Sequence, residues 1–490
     1  MVERCPQSTY RDRRLPRMKK TKKLRPAILL LTLTAMLAGT APSALAATTQ
    51  QVEDVKQLLE QYHLTAPSEE ALNDAAIQGM VQSLQDPYTQ YFTEEQWNDF
   101  TSSLELQYVG IGVVLQDDQN QVYIEDVIPD SPASKAGLQP GDAIVSVNGV
   151  AMTGKKAGDL GDILAGQEGS AVKLVVNRNG ATVTANLTRS GFQYPIATSQ
   201  SMGESVQYLQ LTQFSTGAAD KFKEELSKLE KAGMKSLIID LRNNGGGYLN
   251  EAQGIAANFI KEGVLAHLIN SKGEDMPVNI TGGTEKNYSV YILTNGHSAS
   301  ASELLSGALR DYGVAKLIGS KTYGKGVVQQ LMEVPSGGYL KVTSEQYYTP
   351  KGVQVNKKGL SPDFAVDGEL QQLLAAFRQA GGTKLALTAG KGSIVLNGVR
   401  MSYADSVVRK NGTAYLDLKL AAALTGATVG YDKVTQSIVF TRNQQSIKVK
   451  SNKAGLYLIN GVSYVSPSLL KTWVPSVQYS DSNGLLKVGL

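Results

Sequence analysis

The sequence predicts a multidomain protein that combines α+β and α/β architecture, on the strength of three observations. The chain has 490 residues, more than one ordinary domain, and 42% of them are hydrophobic, enough to form packed cores. Apolar residues recur at helical spacing in the first part of the chain and give way to short strands bounded by glycine turns. Strands then alternate with helices, as in an α/β layer.

Residues 1–46 have the pattern of a signal peptide. Ten Lys and Arg residues lie within the first 25 positions, an apolar run extends from Ala27 to Ala38, and small residues lead up to Ala46. Cleavage after Ala46 is expected. The apolar run is shorter than the ~20 residues of a spanning helix, which favours a cleaved signal peptide. An uncleaved membrane anchor is the alternative interpretation. We expect an extracytoplasmic protein, secreted or loosely attached to the outer face of the membrane or wall.

Charge and residue usage exclude several classes of function. The leader holds ten of the 48 basic and two of the 44 acidic residues, so 38 basic and 42 acidic residues follow it. No basic stripe with interleaved aromatics follows, which argues against nucleic acid as a partner. The single cysteine, Cys5, lies in the leader, so no disulfide or thiol nucleophile is expected. His63, His267 and His297 lack metal-ligand spacing, so we expect no metal and no cofactor.

Residues 47–104 predict helices, followed by a β-rich module at 105–190. The helical pattern breaks at Asp86-Pro87-Tyr88 and restarts at Thr93, a capping residue with acidic residues in the first turn. The β-rich module has short apolar strands near positions 122–127, 144–147 and 172–176. Asn-Gly pairs supply tight turns between strands.

Residues 191–375 predict an α/β core, and residues 390–490 a further small α+β module. A buried-type strand at 236–241 leads into a glycine run at 245–247, and a helix is expected over about 250–262. A second apolar strand at 290–293 precedes a helix that ends at Gly313. Loops at the ends of such strands are where an α/β layer places its site.

The segment SASASE (residues 298–303) is a candidate for an activated hydroxyl. Small residues allow a strand to turn sharply into a helix, so Ser300 can stand at a helix N-terminus, where backbone N–H groups can stabilise an oxyanion. The same Ser-x-x-Glu spacing is also a helix-capping signal. Capping therefore stays open as the alternative.

Two residues could serve as the base for such a serine. Lys325 stands between two glycines and is followed by two valines, and burial of an amine lowers its pKa toward neutral pH. A solvated loop lysine is the alternative interpretation. His297 is three residues before Ser300, and an esterase that uses it would lose turnover when His297 is replaced.

Three segments, in this order and spacing, resemble the C-terminal processing peptidase family (tail-specific proteases). They read DLRNNGGG (240–247), SASASE (298–303) and YGKGVVQ (323–329). Residues 79–80, 86–92, 348–352 and 359–363 also match. The resemblance spans about residues 50–370. It implies a crotonase-like peptidase core in an ATP-independent serine endopeptidase, with a homodimer formed through residues 47–104.

By this resemblance Ser300 is the nucleophile, Lys325 its general base and Gln329 the residue that orients the amine. The oxyanion hole would be formed by the backbone N–H groups of Ala301 and Gly246. The chain has Gly245 where the family usually has proline. Gly247 therefore remains open as the alternative oxyanion glycine.

The β-rich module resembles a PDZ domain at residues 108–113, 136–142 and 147–149. A glycine loop there would offer N–H groups to a peptide carboxylate, and the peptide would add as a strand to a sheet edge. The expected partners are protein or peptide substrates with free C-termini. The candidate peptide-binding residues are Tyr108, Gly110, Ile111, Gly112 and Val113.

The last module resembles the stalk-like domain first described in copper amine oxidases, at residues 397–398, 411–416 and 424–427. No histidine follows His297, so no copper site is expected, and the module is interpreted as a spacer or a contact to the cell surface. The function predicted for the whole chain is cleavage of exported proteins near their C-termini, gated by the PDZ domain. The competing hypothesis is a catalytically silent scaffold that binds through the PDZ and stalk-like modules.

Overall fold

The computed structural model describes residues 48–118, 121–390, 393–401, 407–450, 453–459, 461–482 and 484–490. The predicted signal peptide, 1–46, lies outside these residues. Within them, no helix has the length and apolar character needed to cross a membrane. The chain divides into two compact units, Met1–Asp74 and Ala75–Leu490.

The described part of the first unit is helical. Helix α1 (Thr49–Tyr62) begins at Thr48, whose side chain accepts a hydrogen bond from the N–H of Gln51, and helix α2 (Glu69–Ser83) starts before the end of the unit. Lys56 forms ion pairs with Glu53 and Glu69. Several apolar side chains of α1, among them Val52, Val55 and Leu58, are exposed.

In the second unit, the end of helix α2 is followed by a short strand that the sequence did not predict. After the helix ends at Ser83, the Asp86 carboxylate closes a turn by accepting hydrogen bonds from the N–H of Tyr88 and the hydroxyl of Thr89. Strand β1 (Gln90–Phe92) follows, and then helix α3 (Glu94–Leu104). The helix begins at Thr93, as predicted, and Gln96 completes the capping box.

The β-rich module forms a sheet in the order β3-β4-β5-β7-β8, in which β3 is an edge strand. Strands β2 and β9 pair separately, where the chain enters and leaves the module. Ile124, Ile144 and Leu174 lie in its core. The elements are β2 (Gln107–Gly110), β3 (Val113–Asp118), β4 (Gln121–Val127), α4 (Pro132–Lys135), β5 (Ala143–Val147), β6 (Val150–Ala151), α5 (Ala157–Leu164), β7 (Ala171–Arg178), β8 (Ala181–Thr188) and β9 (Ser190–Gln193).

The α/β core contains two sheets. The first has the order β10-β11-β12-β15-β16-β19 and is parallel from β11 onward. Its elements are β10 (Ala197–Gly203), β11 (Val206–Leu211), α6 (Ala218–Lys231), β12 (Ser236–Asp240), α7 (Leu249–Ala256), β15 (Ser289–Thr294), α8 (Ala301–Asp311), β16 (Ala315–Gly319) and β19 (Phe364–Ala365). The second sheet has the order β1-β18-β13-β14, with β17 also paired to β18. It comprises β13 (Gly263–Asn270), β14 (Asp275–Ile280), β17 (Val327–Glu333) and β18 (Tyr339–Tyr348), besides β1.

The C-terminal module follows helix α9 (Glu369–Gln379) and begins before residue 390, because β20 pairs with the last strand of the chain. Its sheets have the orders β22-β21-β20-β31-β30, β23-β24-β29-β28 and β25-β26-β27. Its elements are β20 (Ala386–Gly390), β21 (Ser393–Leu396), β22 (Val399–Met401), β23 (Val407–Lys410), β24 (Thr413–Asp417), α10 (Leu418–Thr425), β25 (Thr428–Asp432), β26 (Ser437–Arg442), β27 (Gln445–Lys450), β28 (Leu456–Ile459), β29 (Val462–Val465), α11 (Pro467–Trp473), β30 (Gln478–Ser482) and β31 (Leu485–Gly489).

One apolar core joins this module to a face of the six-stranded sheet. Ile238 and Leu293 of the sheet, Phe377 of α9, and Leu387 and Val488 of the module belong to the same buried cluster. The module is therefore packed onto the α/β core rather than separated from it by a linker.

Candidate active site

Ser300 lies at the sharp turn between strand β15 and helix α8. Its backbone has φ 55° and ψ −114°, a conformation that residues other than glycine rarely adopt. Two flanking serines fix the turn to the segment after β12. The Ser298 hydroxyl donates to the carbonyl of Leu241 at 2.7 Å, and the Ser302 hydroxyl donates to the carbonyl of Asn244 at 2.9 Å. The strained turn is thus held from both sides, and Ser300 is half-buried there.

The glycine run after β12 passes directly beside Ser300. A Cβ atom placed on Gly246 would lie 2.8 Å from the Ser300 Cβ and 2.8 Å from the Ala299 carbonyl oxygen. Gly247 approaches Phe214 even more closely, with a Cβ-to-oxygen distance of 2.2 Å. Both glycines have positive φ, 107° and 140°. The close approach to Ser300 requires that position 246 have no side chain.

The two backbone N–H groups predicted for the oxyanion hole differ in whether they already donate a hydrogen bond. Ala301 is the first residue of α8, so its N–H has no acceptor within the helix. The N–H of Gly246, by contrast, donates to Asn244 Oδ1 at 2.9 Å. Of these two, the Ala301 N–H is free to donate to an oxyanion, whereas the Gly246 N–H would first have to leave Asn244.

Lys325 has the partly buried setting expected of a neutral amine. Its Nζ lies 5.2 Å from the centre of the Tyr88 ring. Burial, followed by the charge of Lys341, lowers the pKa of Lys325 to about 8, against the opposing effects of Asp86 and Glu303. An appreciable fraction of the amine is then neutral and able to accept a proton near pH 8.

Glu303 connects the serine turn to the lysine loop, a role that sequence reasoning missed. Its carboxylate is fully buried, and Oε2 accepts hydrogen bonds from the N–H of Ser300 at 3.0 Å and of Lys325 at 2.9 Å. Oε1 accepts from the N–H of Gly324 at 2.8 Å and from the Thr322 hydroxyl. Burial raises the pKa of Glu303, while these donors oppose the rise. The Ser-x-x-Glu spacing was the available signal, and it indicated only a helix cap.

The side chain of Gln329 makes no hydrogen bond to the amine of Lys325 in this arrangement. Gln329 lies on β17, and its Nε2 donates to Thr343 Oγ1 at 3.4 Å. The N–H of Thr343 in turn donates to the Thr89 hydroxyl. Gln329 is thus bonded to β18 here, and its role toward Lys325 stays a prediction.

His297, the alternative base, lies on the surface. Its backbone N–H donates to Asn295, whereas its imidazole makes no hydrogen bond to any described residue. Among the described residues, no hydrogen bond directs the imidazole toward Ser300. The described residues also contain no group of three or more His, Cys, Asp or Glu side chains that could hold a metal ion.

A buried ion pair fixes the end of strand β12, from which the glycine run departs. The Arg242 guanidinium contacts the Asp240 carboxylate at 2.5 Å, and the Tyr208 hydroxyl donates to the same carboxylate at 2.7 Å. Although burial opposes it, Asp240 raises the pKa of Arg242 above its ordinary value. The ion pair and its hydrogen bonds hold the strand end in place.

The residues proposed to bind peptide divide between two parts of the β-rich module. Gly110 is the last residue of β2, and Ile111 and Gly112 form the loop before edge strand β3, which begins at Val113; all three are buried. The Gly112 carbonyl accepts from Ile128, and a Cβ on Gly112 would lie 2.1 Å from the Ser131 Cβ. Tyr108 instead lies on β2, where it faces Phe192 of β9 with 6.1 Å between ring centres.

Comparison with known proteins identifies the family. Residues 205–366 match Peptidase family S41, residues 123–178 match the PDZ domain, and residues 33–96 match the N-terminal domain of the activating protease CtpB. A Staphylococcus saprophyticus protein named "Probable CtpA-like serine protease" is 35% identical over 328 residues, which cover 66% of this chain and 67% of that protein. The chain belongs to peptidase family S41. A Staphylococcus aureus protein of the same name is 35% identical, with coverage of 66% of each chain.

The S41 chain spans about two thirds of the length of these relatives. Among solved structures, a photosystem II D1 C-terminal processing protease is 27% identical and covers 69% of this chain and 98% of its own, with a TM-score of 0.43. Family S41 is a serine protease family. The family matches confirm the predictions of a peptidase core and a PDZ domain in a multidomain α+β chain.

Proposed function

We propose that this S41 protein is an ATP-independent serine endopeptidase in which Ser300 is the nucleophile and Lys325 the general base. The observation that carries the proposal is the buried Glu303 carboxylate, which accepts hydrogen bonds from the backbone N–H groups of both residues. One rigid acceptor thus fixes the spacing of the two loops. The lowered pKa of Lys325, about 8, supports its role as a base.

The proposed reaction is acyl transfer. Neutral Lys325 Nζ takes the proton of Ser300 Oγ as this oxygen bonds to the carbonyl carbon of the peptide. The tetrahedral intermediate collapses when its C–N bond breaks, and the Lys325 ammonium gives its proton to the leaving amine. Lys325 then takes a proton from water, which attacks the acyl-enzyme, and Ser300 Oγ leaves with that proton.

Two local movements complete the proposed site. The N–H of Ala301 supplies one oxyanion donor, and release of Gly246 from Asn244 Oδ1 supplies the second. Gln329 would leave Thr343 and orient the Lys325 amine, as the family resemblance implies. The structure described here corresponds in this proposal to a resting arrangement.

The proposed substrates are exported proteins with free C-termini, delivered and gated by the PDZ domain. The edge position of β3, next to the buried glycine loop, supports addition of a peptide as a further strand. Export rests on the signal-peptide pattern of residues 1–46. A homodimer through residues 47–104 is supported by exposed apolar side chains of α1, and the stalk-like module would contact the cell surface.

The experiment is degradation of an unfolded reporter that ends in a free apolar C-terminus. The mature chain should cleave it, while folded Ser300→Ala and Lys325→Ala variants should not, and His297→Ala should cleave like the parent. Amidation of the reporter's C-terminus should weaken cleavage. If the parent fails with and without added C-terminal peptides, the scaffold hypothesis replaces the peptidase.

A further inference from the structure

The segment from Asp86 to Phe92 has no role in the mechanism above, yet it is built into the second sheet of the core. The Asp86 carboxylate closes a turn by accepting from the N–H of Tyr88 at 3.1 Å and from the Thr89 hydroxyl at 2.6 Å. Strand β1 then pairs with β18, with Gln90 opposite Lys341. These bonds fix the position of Tyr88, which lies between the turn and the strand.

Tyr88 places an aromatic face next to the proposed base. The Lys325 Nζ lies 5.2 Å from the Tyr88 ring centre, within the ~6 Å range of cation–π attraction. Burial and then the neighbouring Tyr323 phenol raise the pKa of Tyr88 to about 12. Tyr88 thus stays neutral wherever Lys325 titrates, and its ring acts as an uncharged π surface.

Three charged groups from different parts of the chain act on Lys325. Asp86, in the segment that carries Tyr88, and Glu303 of α8 favour the charged form of Lys325, whereas Lys341 of β18 disfavours it. Lys341 is itself held over the rings of Phe92 and Phe100, at 5.1 Å and 4.8 Å. The pairing of β1 with β18 therefore brings both an aromatic face and a second ammonium to the lysine.

We propose that Tyr88 is a positioning residue for Lys325, whose ring seats the ammonium and fixes the direction of the amine. The inference rests on the proposed function, because it assigns a role to Tyr88 through the base. It also explains why a turn far from Ser300 in the sequence is fixed by two hydrogen bonds and a strand pairing.

The test compares Tyr88→Leu with Tyr88→Phe and with a control in the same segment, Tyr91→Leu. The Tyr91 hydroxyl donates to the carbonyl of Gly337, which lies in the turn between β17 and β18. Tyr88→Leu keeps apolar bulk and removes the π face, so the pKa of Lys325 should fall by about half to one unit. The kcat should fall about tenfold with little change in KM, because the amine loses its orientation. Tyr88→Phe should restore both quantities.

Two readouts separate this inference from the proposed function. The first is the pH profile of kcat/KM on a peptide reporter. The second needs no turnover: in the Ser300→Ala background, acetic anhydride labels the amine of Lys325 over a pH series, and mass spectrometry gives the extent. Tyr88→Met replaces Tyr88→Leu if the latter does not fold.

The labelling curve decides the inference. A lower pKa for Tyr88→Leu, with parental values for Tyr88→Phe and Tyr91→Leu, supports it even if the parent cleaves no reporter, in which case only the proposed function fails. An unchanged labelling curve in Tyr88→Leu overturns it, whatever the value of kcat. An equal shift in Tyr91→Leu also overturns it, because the effect would then come from a general loosening of β1.

Discussion

The Glu303 carboxylate accepts a hydrogen bond from the backbone N–H of Lys325 at 2.9 Å, across a separation of 22 residues. The same oxygen accepts from the N–H of Ser300 at 3.0 Å. A single fully buried side chain thereby holds both loops of the proposed dyad. Because a buried acceptor with several charge-assisted bonds is strong and geometrically defined, the distance between the two loops is fixed by Glu303.

Replacing Glu303 should therefore damage catalysis through the backbone. Glu303→Ala leaves the N–H groups of Ser300, Gly324 and Lys325 without their acceptor, at ~1–3 kcal/mol for each buried unpaired group. We expect loss of activity and a clearly lower melting temperature. Glu303→Gln keeps one acceptor oxygen and should retain the fold with kcat reduced tenfold or more. Parental kcat in a folded Glu303→Ala variant would contradict this role.

Sequence reasoning identified local elements and failed where distant segments meet. The cap at Thr93 and the turn that presents Ser300 follow from short-range patterns, and both are present. The sequence pattern indicated only a helix cap for Glu303, because its bonds to Gly324 and Lys325 join positions about 20 residues away. Strand β1 was missed because three residues acquire strand geometry only by pairing with β18, some 250 residues later.

The pH dependence of activity should follow the titration of Lys325. Its pKa lies near 8 because burial and Lys341 disfavour the ammonium. The base is neutral above that pKa, so kcat/KM should rise with pH, reach half of its maximum near pH 8 and level off above about pH 9. The measurement is initial rates on a peptide reporter from pH 6 to 10, with folding checked at each pH. A flat or falling profile between pH 6 and 9 would remove Lys325 as the base.

Lys341 and Asp86 should shift that profile in opposite directions. Lys341→Gln removes a positive charge that lowers the pKa of Lys325, so the rising limb should move to higher pH. Asp86→Asn removes a negative charge that raises the pKa, so the limb should move to lower pH. The comparison is made in low salt, where screening is weakest. Shifts of the same sign in both variants would show that the two charges do not act on Lys325 directly.

Adjacent glycines before the serine turn should differ sharply in tolerance. An alanine at Gly246 would place its Cβ 2.8 Å from the Ser300 Cβ, in a backbone with φ 107°. Gly246→Ala should therefore lose at least a hundredfold in kcat, the scale of one lost oxyanion donor. At Gly245 a Cβ meets nothing within 4 Å, so Gly245→Ala is the matched control and should stay active. Equal activity of the two variants would argue against close contact between the glycine run and Ser300.

The shared apolar core predicts that the C-terminal module unfolds together with the peptidase core. Phe377 of α9 is fully buried in a cluster that includes both Leu293 of the central sheet and Leu387 of the module. Phe377→Ala should lower the free energy of unfolding by ~3–5 kcal/mol. The melting temperatures of the module and of the active site should then fall by equal amounts. Calorimetry measures the melting temperature of the module, and residual activity after heating measures that of the active site. Val434, which is 93% exposed, provides the control, since Val434→Ala should change neither. A separate, unshifted transition for the module would instead identify it as an independent spacer. Two regions that share one buried core are both destabilised when a side chain of that core is removed.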